Sequence, residues 1–412
     1  MKCRLKFVLV WCAVIFLAMG CGRKDTVTVL TGNEEDITVI PILLRVDPET
    51  GEEEYTDLIN GFNEAYAGMY RIDAQWLKDT EQGYRERLKI LNVYDRLPII
   101  ITDAAFSPDF QEFMISNERY LNLYPYLKGR EEWQELLEKS FNEELYMVPL
   151  NRGLYSSAGL YYNRELFQKA GIGTFPQTWE EFFLCLDQLQ DAGITPLALH
   201  GGGEYWASML ISTAYMCSTA SGKAFLEEYF PESYANENVM AMLSCMETIY
   251  DYTFEDALEI NFNQAQNRFM RGEAAILANG YWMLQDIGEE EQEKFGFAPF
   301  PENRMMIDEQ MSSWAVISSY SEEEVRGAVE FLTYREKYSD IDDEKTSPLE
   351  KEYIAVFEQT EESFANYQFR WEERLLDDFF NTAFPELLRG ECDRAELIRR
   401  MDEELKVIGN GG

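Results

Sequence analysis

The residues that could do chemistry in this chain are few, and their spacing withholds the partners that chemistry needs. The single histidine, His200, stands in His200-Gly201-Gly202-Gly203, a run that mimics the oxyanion-hole loop of esterases. Acyl transfer needs a serine on a sharp elbow and a base to take its proton. No G-x-S-x-G occurs, and no second histidine could activate a serine. The triple glycine also lacks the Lys-Ser/Thr of a phosphate loop, and it reads as a turn between a strand and a helix beginning near Glu204. Histidine-based metal sites have one candidate ligand. Cys185, Cys217, Cys245 and Cys392 are far apart without any C-x-x-C pair, so neither a zinc knuckle nor a dense disulfide framework is indicated. No metal, cofactor or catalytic residue is expected. Cys185 and Cys245 sit in apolar runs where a thiol packs as a small hydrophobe, and one disulfide stays open. Two carboxylates at glycosidase separation also stay open, because 75 acids allow such a pair and sequence does not show distance.

Aromatic side chains recur where strands should give way to helices: Tyr155, Trp206, Trp282 and Trp314. Flat aromatic faces bind the apolar C–H faces of sugars, and polar side chains beside them take the hydroxyls. Three polar candidates fit such a rim. Asp103 ends the predicted strand Leu97–Thr102, at the carboxyl end where open α/β sheets bind ligands; Asn151 follows Pro149; Arg45 lies just past the first strand. Core packing is the competing reading for each aromatic, and stabilisation of a hinge for Asn151. Trp76, Trp133 and Trp179 have apolar or capping neighbours and are read as core.

The elements that must position these residues alternate. Ile37–Leu44, Glu54–Tyr66, Tyr70–Leu77, Glu81–Val93 and Leu97–Thr102 run βαβαβ, which predicts a mostly parallel sheet flanked by helices. A second block starts with a strand at Ala158–Tyr162. Asn163 caps the helix that follows and Gly171 ends it; Thr178 and Glu181 form a capping box for a helix that Gly193 stops. Thr195–Ala198, Glu273–Ala278, Phe295–Phe300 and Trp314–Ser318 are further strands, and from Ser321 the chain is mainly helical.

Ahead of all this, Lys2, Arg4 and Lys6 precede an apolar run from Phe7 to Leu17 that ends in Ala18-Met19-Gly20-Cys21. That is an export signal, too short to span a bilayer needing about 20 residues. Leu17-Ala18-Met19-Gly20-Cys21 resembles the lipobox of bacterial lipoproteins, which implies cleavage before Cys21, lipidation of it with palmitate among the acyl groups, and a polar tether to Asp36. The 412 residues carry a net charge of −39, and cleavage would deepen it by the charges of Lys2, Arg4 and Lys6. Nucleic acid and anionic lipid surfaces are repelled by such a field.

Several segments in order resemble the extracellular solute-binding proteins of ABC importers, specifically the carbohydrate-binding family 1 group. Tyr146-Met147-Val148-Pro149 is similar to the family's hinge strand, and Tyr161-Tyr162-Asn163-Arg164-Glu165-Leu166-Phe167-Gln168-Lys169-Ala170-Gly171-Ile172 to its YNKELFKKAGI run. Pro176-Gln177-Thr178-Trp179-Glu180-Glu181-Phe182 resembles P-x-T-W-x-E-F, and Phe269-Met270-Arg271-Gly272-Glu273-Ala274-Ala275 with Gly280-Tyr281-Trp282 resembles F-x-x-G-x-A-A-M … G-x-W. The chain departs from the family in Pro98-Ile99, where Pro-Asp is usual, and in Glu143-Glu144-Leu145 before the hinge tyrosine.

The resemblance implies a two-lobed α/β protein of the periplasmic-binding-protein type 2 fold, with crossings near Pro149, Phe297 and Ser318. The expected division is a signal peptide over 1–20, a tether over 21–36, an N-terminal lobe over 37–150 and 297–318, and a C-terminal lobe over 151–296 and 319–412. It further implies a monomer that is not an enzyme, anchored at the outer membrane face, binding a carbohydrate on Trp282 and delivering it to a membrane permease. A lipid-anchored glycoside hydrolase and a sensor for a membrane receptor are the alternatives.

Overall fold

The computed structural model describes residues 37–46, 55–79, 81–102, 108–140, 142–149, 154–202, 205–228, 231–288, 290–307, 313–338, 346–365 and 382–409. Cys21, Asp103 and Asn151, and the expected signal and tether, lie outside the described residues.

The first sheet contains β1 (Thr38–Val46), β2 (Tyr70–Lys78), β3 (Ile100–Ile101), β4 (Met147–Val148) and a late strand, β10 (Trp314–Val316), in the order β2-β1-β3-β10-β4. The first three are parallel, as the alternation predicts, and β10 runs antiparallel to β3 and β4. The predicted strand Leu97–Thr102 shrinks to two paired residues, and Ile99, Ile100 and Ile101 are fully buried. Helix α1 (Thr56–Ala65) packs Leu58, Ile59 and Phe62 against the even residues of β1; α2 (Glu81–Val93) and α3 (Pro108–Ser116) cover Leu43 on the other face with Tyr84, Leu88, Phe110 and Met114. The period-2 alternation of β1 feeds both layers. Two short helices come next, α4 (Tyr124–Leu127) and α5 (Gln134–Lys139).

The second sheet orders β11 (Glu362–Phe364), β9 (Arg304–Ile307), β5 (Ser157–Asn163), β7 (Ala274–Gly280) and β6 (Thr195–Leu197), with β8 (Phe295–Ala298) also paired to β5. Its helices are α6 (Arg164–Lys169), α7 (Trp179–Asp191), α8 (Trp206–Met216), α9 (Ala220–Leu226), α10 (Glu237–Tyr250) and α11 (Phe262–Met270). The local signals act as expected: Asn163 accepts from the N–H groups of Glu165 and Leu166, Thr178 and Glu181 close a capping box, and Gly171 and Gly193 take φ of 77° and 71°.

The lobe boundaries differ from the expectation. β8 and β9 both pair with β5, so the chain stays in the second lobe past Phe297 and leaves it after Ile307. Helix α12 (Glu322–Tyr338) returns to the first lobe, where Val325, Val329, Phe331 and Leu332 pack with Ile40, Ile42 and Phe62. The chain regains the second lobe only with α13 (Pro348–Glu358), which buries Leu349 and Tyr353 beside Phe295 and Phe297. Among the described residues, those within 37–149 and 313–338 therefore form the first lobe, and those within 154–307 and 346–409 the second. A strand's alternation says that it is buried, not in which sheet, and a helix's apolar stripe likewise names no partner. β9 and β11 were unforeseen, because three or four residues of Arg-Met-Met-Ile or Glu-Ser-Phe carry no period.

Candidate functional site

The two sheets present matching edges to the segments that join them. In the second sheet β7 ends at Gly280, which pairs with Ala158 at the start of antiparallel β5, and Ser157 pairs with Ile307 at the end of β9. β6 is parallel to β7, so its continuation through His200 emerges at that same edge. Tyr155, Trp206 and Trp282 thus collect where two passages depart for the first lobe. In the first sheet, Val148 at the end of β4 faces Trp314 at the start of β10, and β1 and β3 both end at this edge. Arg45, the penultimate residue of β1, lies on it, and Asp103 follows the last described residue there, Thr102.

Trp206 and Trp282 come together. Their ring centroids are 5.5 Å apart at 57°, and Phe262 meets Trp206 edge to face at 5.7 Å. Both tryptophans are half-buried, with one side on the core of the second lobe. Gly280 makes Trp282's pose feasible, because a Cβ there would stand 2.2 Å from two of its ring carbons. Behind the rings the polar groups are tied to one another. Asn279, fully buried, accepts the Gly280 N–H and donates to Gln266, and Gln266 donates to Asp286, each at 2.8 Å. This chain of bonds fixes the end of β7 against α11, so the aromatic platform is preorganised.

The glycine loop shapes the other side. Gly201 and Gly202 donate to the Ile260 carbonyl at 3.2 and 2.9 Å, and a Cβ on Gly202 would lie 2.9 Å from that backbone. His200 is fully buried, its Nε2 accepting the Ala207 N–H at 3.4 Å and its carbonyl accepting the Tyr250 hydroxyl at 2.6 Å. It ties the chain beyond β6 to the first turn of α8, which carries Trp206.

The other sequence candidates divide. Tyr155 packs edge to face on Tyr281 at 5.0 Å, one residue from Trp282. Trp314, expected at the ligand face, is fully buried in the first lobe among Tyr55, Phe331 and Arg335, whose guanidinium lies 4.1 Å from its ring centroid. Its side chain presents no face to a ligand. Trp133 and Trp179 are core as expected, and Trp76 is half-buried. Sequence reasoning passed over Phe262, which follows the capping Asn261 of α11; an aromatic directly after a cap residue was its one signal. The four cysteines among the described residues are unpaired, and burial pushes the Cys185, Cys217 and Cys245 thiols up to about 12, which keeps them protonated. Among the described residues no cluster of metal-ligating side chains occurs, and no helix is long and apolar enough to cross a membrane.

Two α/β lobes, each built on its own sheet, have the type 2 periplasmic-binding-protein fold. The chain belongs to the bacterial extracellular solute-binding protein family, whose profile matches residues 104–334. A relative described as a multiple sugar-binding protein, from Streptococcus mutans, is 23% identical over 69% of this chain and 72% of its own length. A xylose/arabinose-binding protein of Haloferax volcanii is 26% identical over 39% of this chain and 36% of its own. Among solved structures, a chitin oligosaccharide binding protein superposes with a TM-score of 0.72 at 19% identity, covering 90% of this chain and all of that one. A Streptococcus pneumoniae solute-binding protein in complex with the blood group A-trisaccharide gives 0.69 at 16% identity, over 90% and 100%.

Proposed function

We propose that this chain captures a sugar or oligosaccharide between its lobes and delivers it to an ABC permease, held at the outer membrane face by lipid on Cys21. The observation that carries the reading is the Trp206–Trp282 pair, half-buried at the edge where the chain passes between lobes. A sugar ring stacks on such a surface through its C–H face, and Tyr155, Arg45, Asp103 and Asn151 are the rim candidates for its hydroxyls. Binding to both lobes favours the closed arrangement by the difference in ligand contacts between closed and open, and closure marks the loaded state. No bond is made or broken in the solute.

The test is incubation with a panel of mono- and oligosaccharides, reading thermal unfolding and products together. Reversible, concentration-dependent stabilisation without product is the expected result. Turnover would reject capture in favour of hydrolysis. For the anchor, a Cys21→Ser chain should appear in the medium, and retention of that variant in the membrane fraction would remove Cys21 from the role.

A further inference from the structure

The chain passes between lobes three times, after Pro149, after Ile307 and after Tyr338, and on the second lobe the three landing points meet in one cluster of tyrosines. The first passage lands at Tyr155 and Ser157. Tyr155 packs on Tyr281 at 5.0 Å, and the Ser157 carbonyl accepts the Tyr353 hydroxyl at 2.8 Å, with Ser157 Oγ 2.9 Å from the same oxygen. The second passage departs from Ile307, the ladder partner of Ser157. The third lands at Ser347, the N-cap of α13, whose capping-box acid Glu350 accepts the Ser347 N–H at 3.3 Å and also accepts the Tyr281 hydroxyl. Tyr281 and Tyr353 touch edge to face at 5.3 Å, and both Tyr353 and Ser157 are fully buried. Tyr281 is covalently next to Trp282. The near ends of the passages are gathered on the first lobe too: Val148 faces Trp314, and Arg335, near the end of α12, lies over the Trp314 ring.

We propose that Tyr281 and Tyr353 are positioning residues that weld Trp282 and the three landing points into one rigid unit, so that a ligand seated on Trp282 is felt at all three passages together. The ligand part rests on the function proposed above; the rigid unit does not. Successive residues of the turn after β7 point in different directions, so Tyr281 reaches into the cluster while Trp282 folds back over Gly280. Fixing the first side chain fixes the frame of the second. Glu350 joins two elements in this arrangement, since one carboxylate both caps α13 and holds Tyr281.

Hydrogen exchange on the full chain without ligand tests the unit. Tyr353→Phe keeps the ring and removes the hydroxyl, and it should raise exchange in step at 155–157, 305–307 and 347–353. Tyr281→Phe and Glu350→Ala should do the same and add 280–284, while Glu350→Gln, whose single amide oxygen still accepts the Tyr281 hydroxyl but leaves the Ser347 N–H without that acceptor, should restore protection at 155–157 and 280–284 and only in part at 347–350. The expected rise is roughly three- to tenfold, the scale of one hydrogen bond, with α1 of the first lobe unchanged. A change confined to the substituted element, a uniform rise that includes α1, or Glu350→Gln behaving as Glu350→Ala would each overturn the proposal. A second arm adds chitotriose or raffinose. A saccharide that binds the wild type should protect all three landing points at once, and in Tyr281→Phe it should bind more weakly and protect them unequally. If neither saccharide alters the wild type, the proposed ligand class loses support while the ligand-free arm still decides the unit.

Discussion

Gly280→Ala is a one-methyl perturbation whose whole cost should come through Trp282. Gly280 has φ −102° and ψ −175°, an extended backbone open to any residue, so alanine meets no conformational penalty there. It meets an indole instead. The three atoms nearest to an added Cβ all belong to Trp282, at 2.2, 2.2 and 2.5 Å, where ordinary contact begins near 3.4 Å. The ring must retreat by roughly 1.2 Å at its closest points, and Trp206, with its centroid 5.5 Å away, stands beside it. Overpacking of this kind costs about 1–3 kcal/mol, visible as a lower denaturation midpoint, and a displaced platform should also weaken any saccharide that binds. The discriminating assay is a double-mutant cycle by urea denaturation. In a Trp282→Ala background the added methyl meets no ring, and its cost should shrink to less than about 0.5 kcal/mol, the level at which independent substitutions add. Equal cost in both backgrounds would mean that the clash lies elsewhere and that Gly280 does not set the pose of Trp282.

The same geometry carries other expected outcomes. Trp282→Ala and Trp206→Ala should each weaken saccharide binding by about 1–3 kcal/mol, as titration calorimetry would show, and an unchanged affinity removes that residue from the site. Trp314→Ala should cost about 3–5 kcal/mol of stability through lost core packing, with affinity unchanged for protein that remains folded; a selective loss of affinity would return Trp314 to the ligand face. Alkaline pH should unfold the protein through its buried thiols. Burial raises the folded pKa of Cys245 from 9.0 to about 12, so the folded chain keeps a proton that the unfolded chain releases. The stabilisation is complete below pH 9 and is lost as pH rises toward 12, at about 1.4 kcal/mol per unit for this one group. Cys245→Ala should flatten the fall of the melting temperature between about pH 9 and 11, and a slope identical to the wild type would refute the linkage.

Local structure was legible because its causes are local. A cap at Asn163, a capping box at Thr178 and Glu181 and glycines at 171 and 193 act within a few residues of themselves, and each does what its type dictates. The βαβ order from Ile37 to Thr102 also survives, since parallel strands must be joined by crossover helices. Assignment to lobes was not legible. α12 carries an ordinary amphipathic stripe, and nothing in Val325, Val329 and Leu332 says that the chain has just recrossed to meet Ile40 and Ile42. The polar network behind the rings was equally hidden. Asn279, Gln266 and Asp286 form a hydrogen-bonded chain only because β7 lies against α11, and thirteen residues of sequence separate the first two.

Trp282 and Trp314 both sit at a strand junction, and both were candidates for the same reason, yet Trp314 is fully buried whereas Trp282 is only half-buried. Trp314 is inside the ladder: it faces Val148, and the alternation of β10 sends Trp314 and Val316 into one core and Ala315 and Ile317 into the other. A strand covered on both faces leaves its members no exposed direction. Trp282 lies two residues beyond Gly280, the last paired position of β7, in a tight turn that frees the side chain from that alternation. Trp206 is likewise past the end of β6, at the first turn of α8. An aromatic beyond the last ladder residue can offer a face to the space between lobes, whereas one inside a doubly covered ladder cannot. Trp314 packs instead under Arg335 and beside Val148, at the first lobe's ends of the passages, and under the proposal above it would be the first lobe's counterpart of Tyr281 and Tyr353.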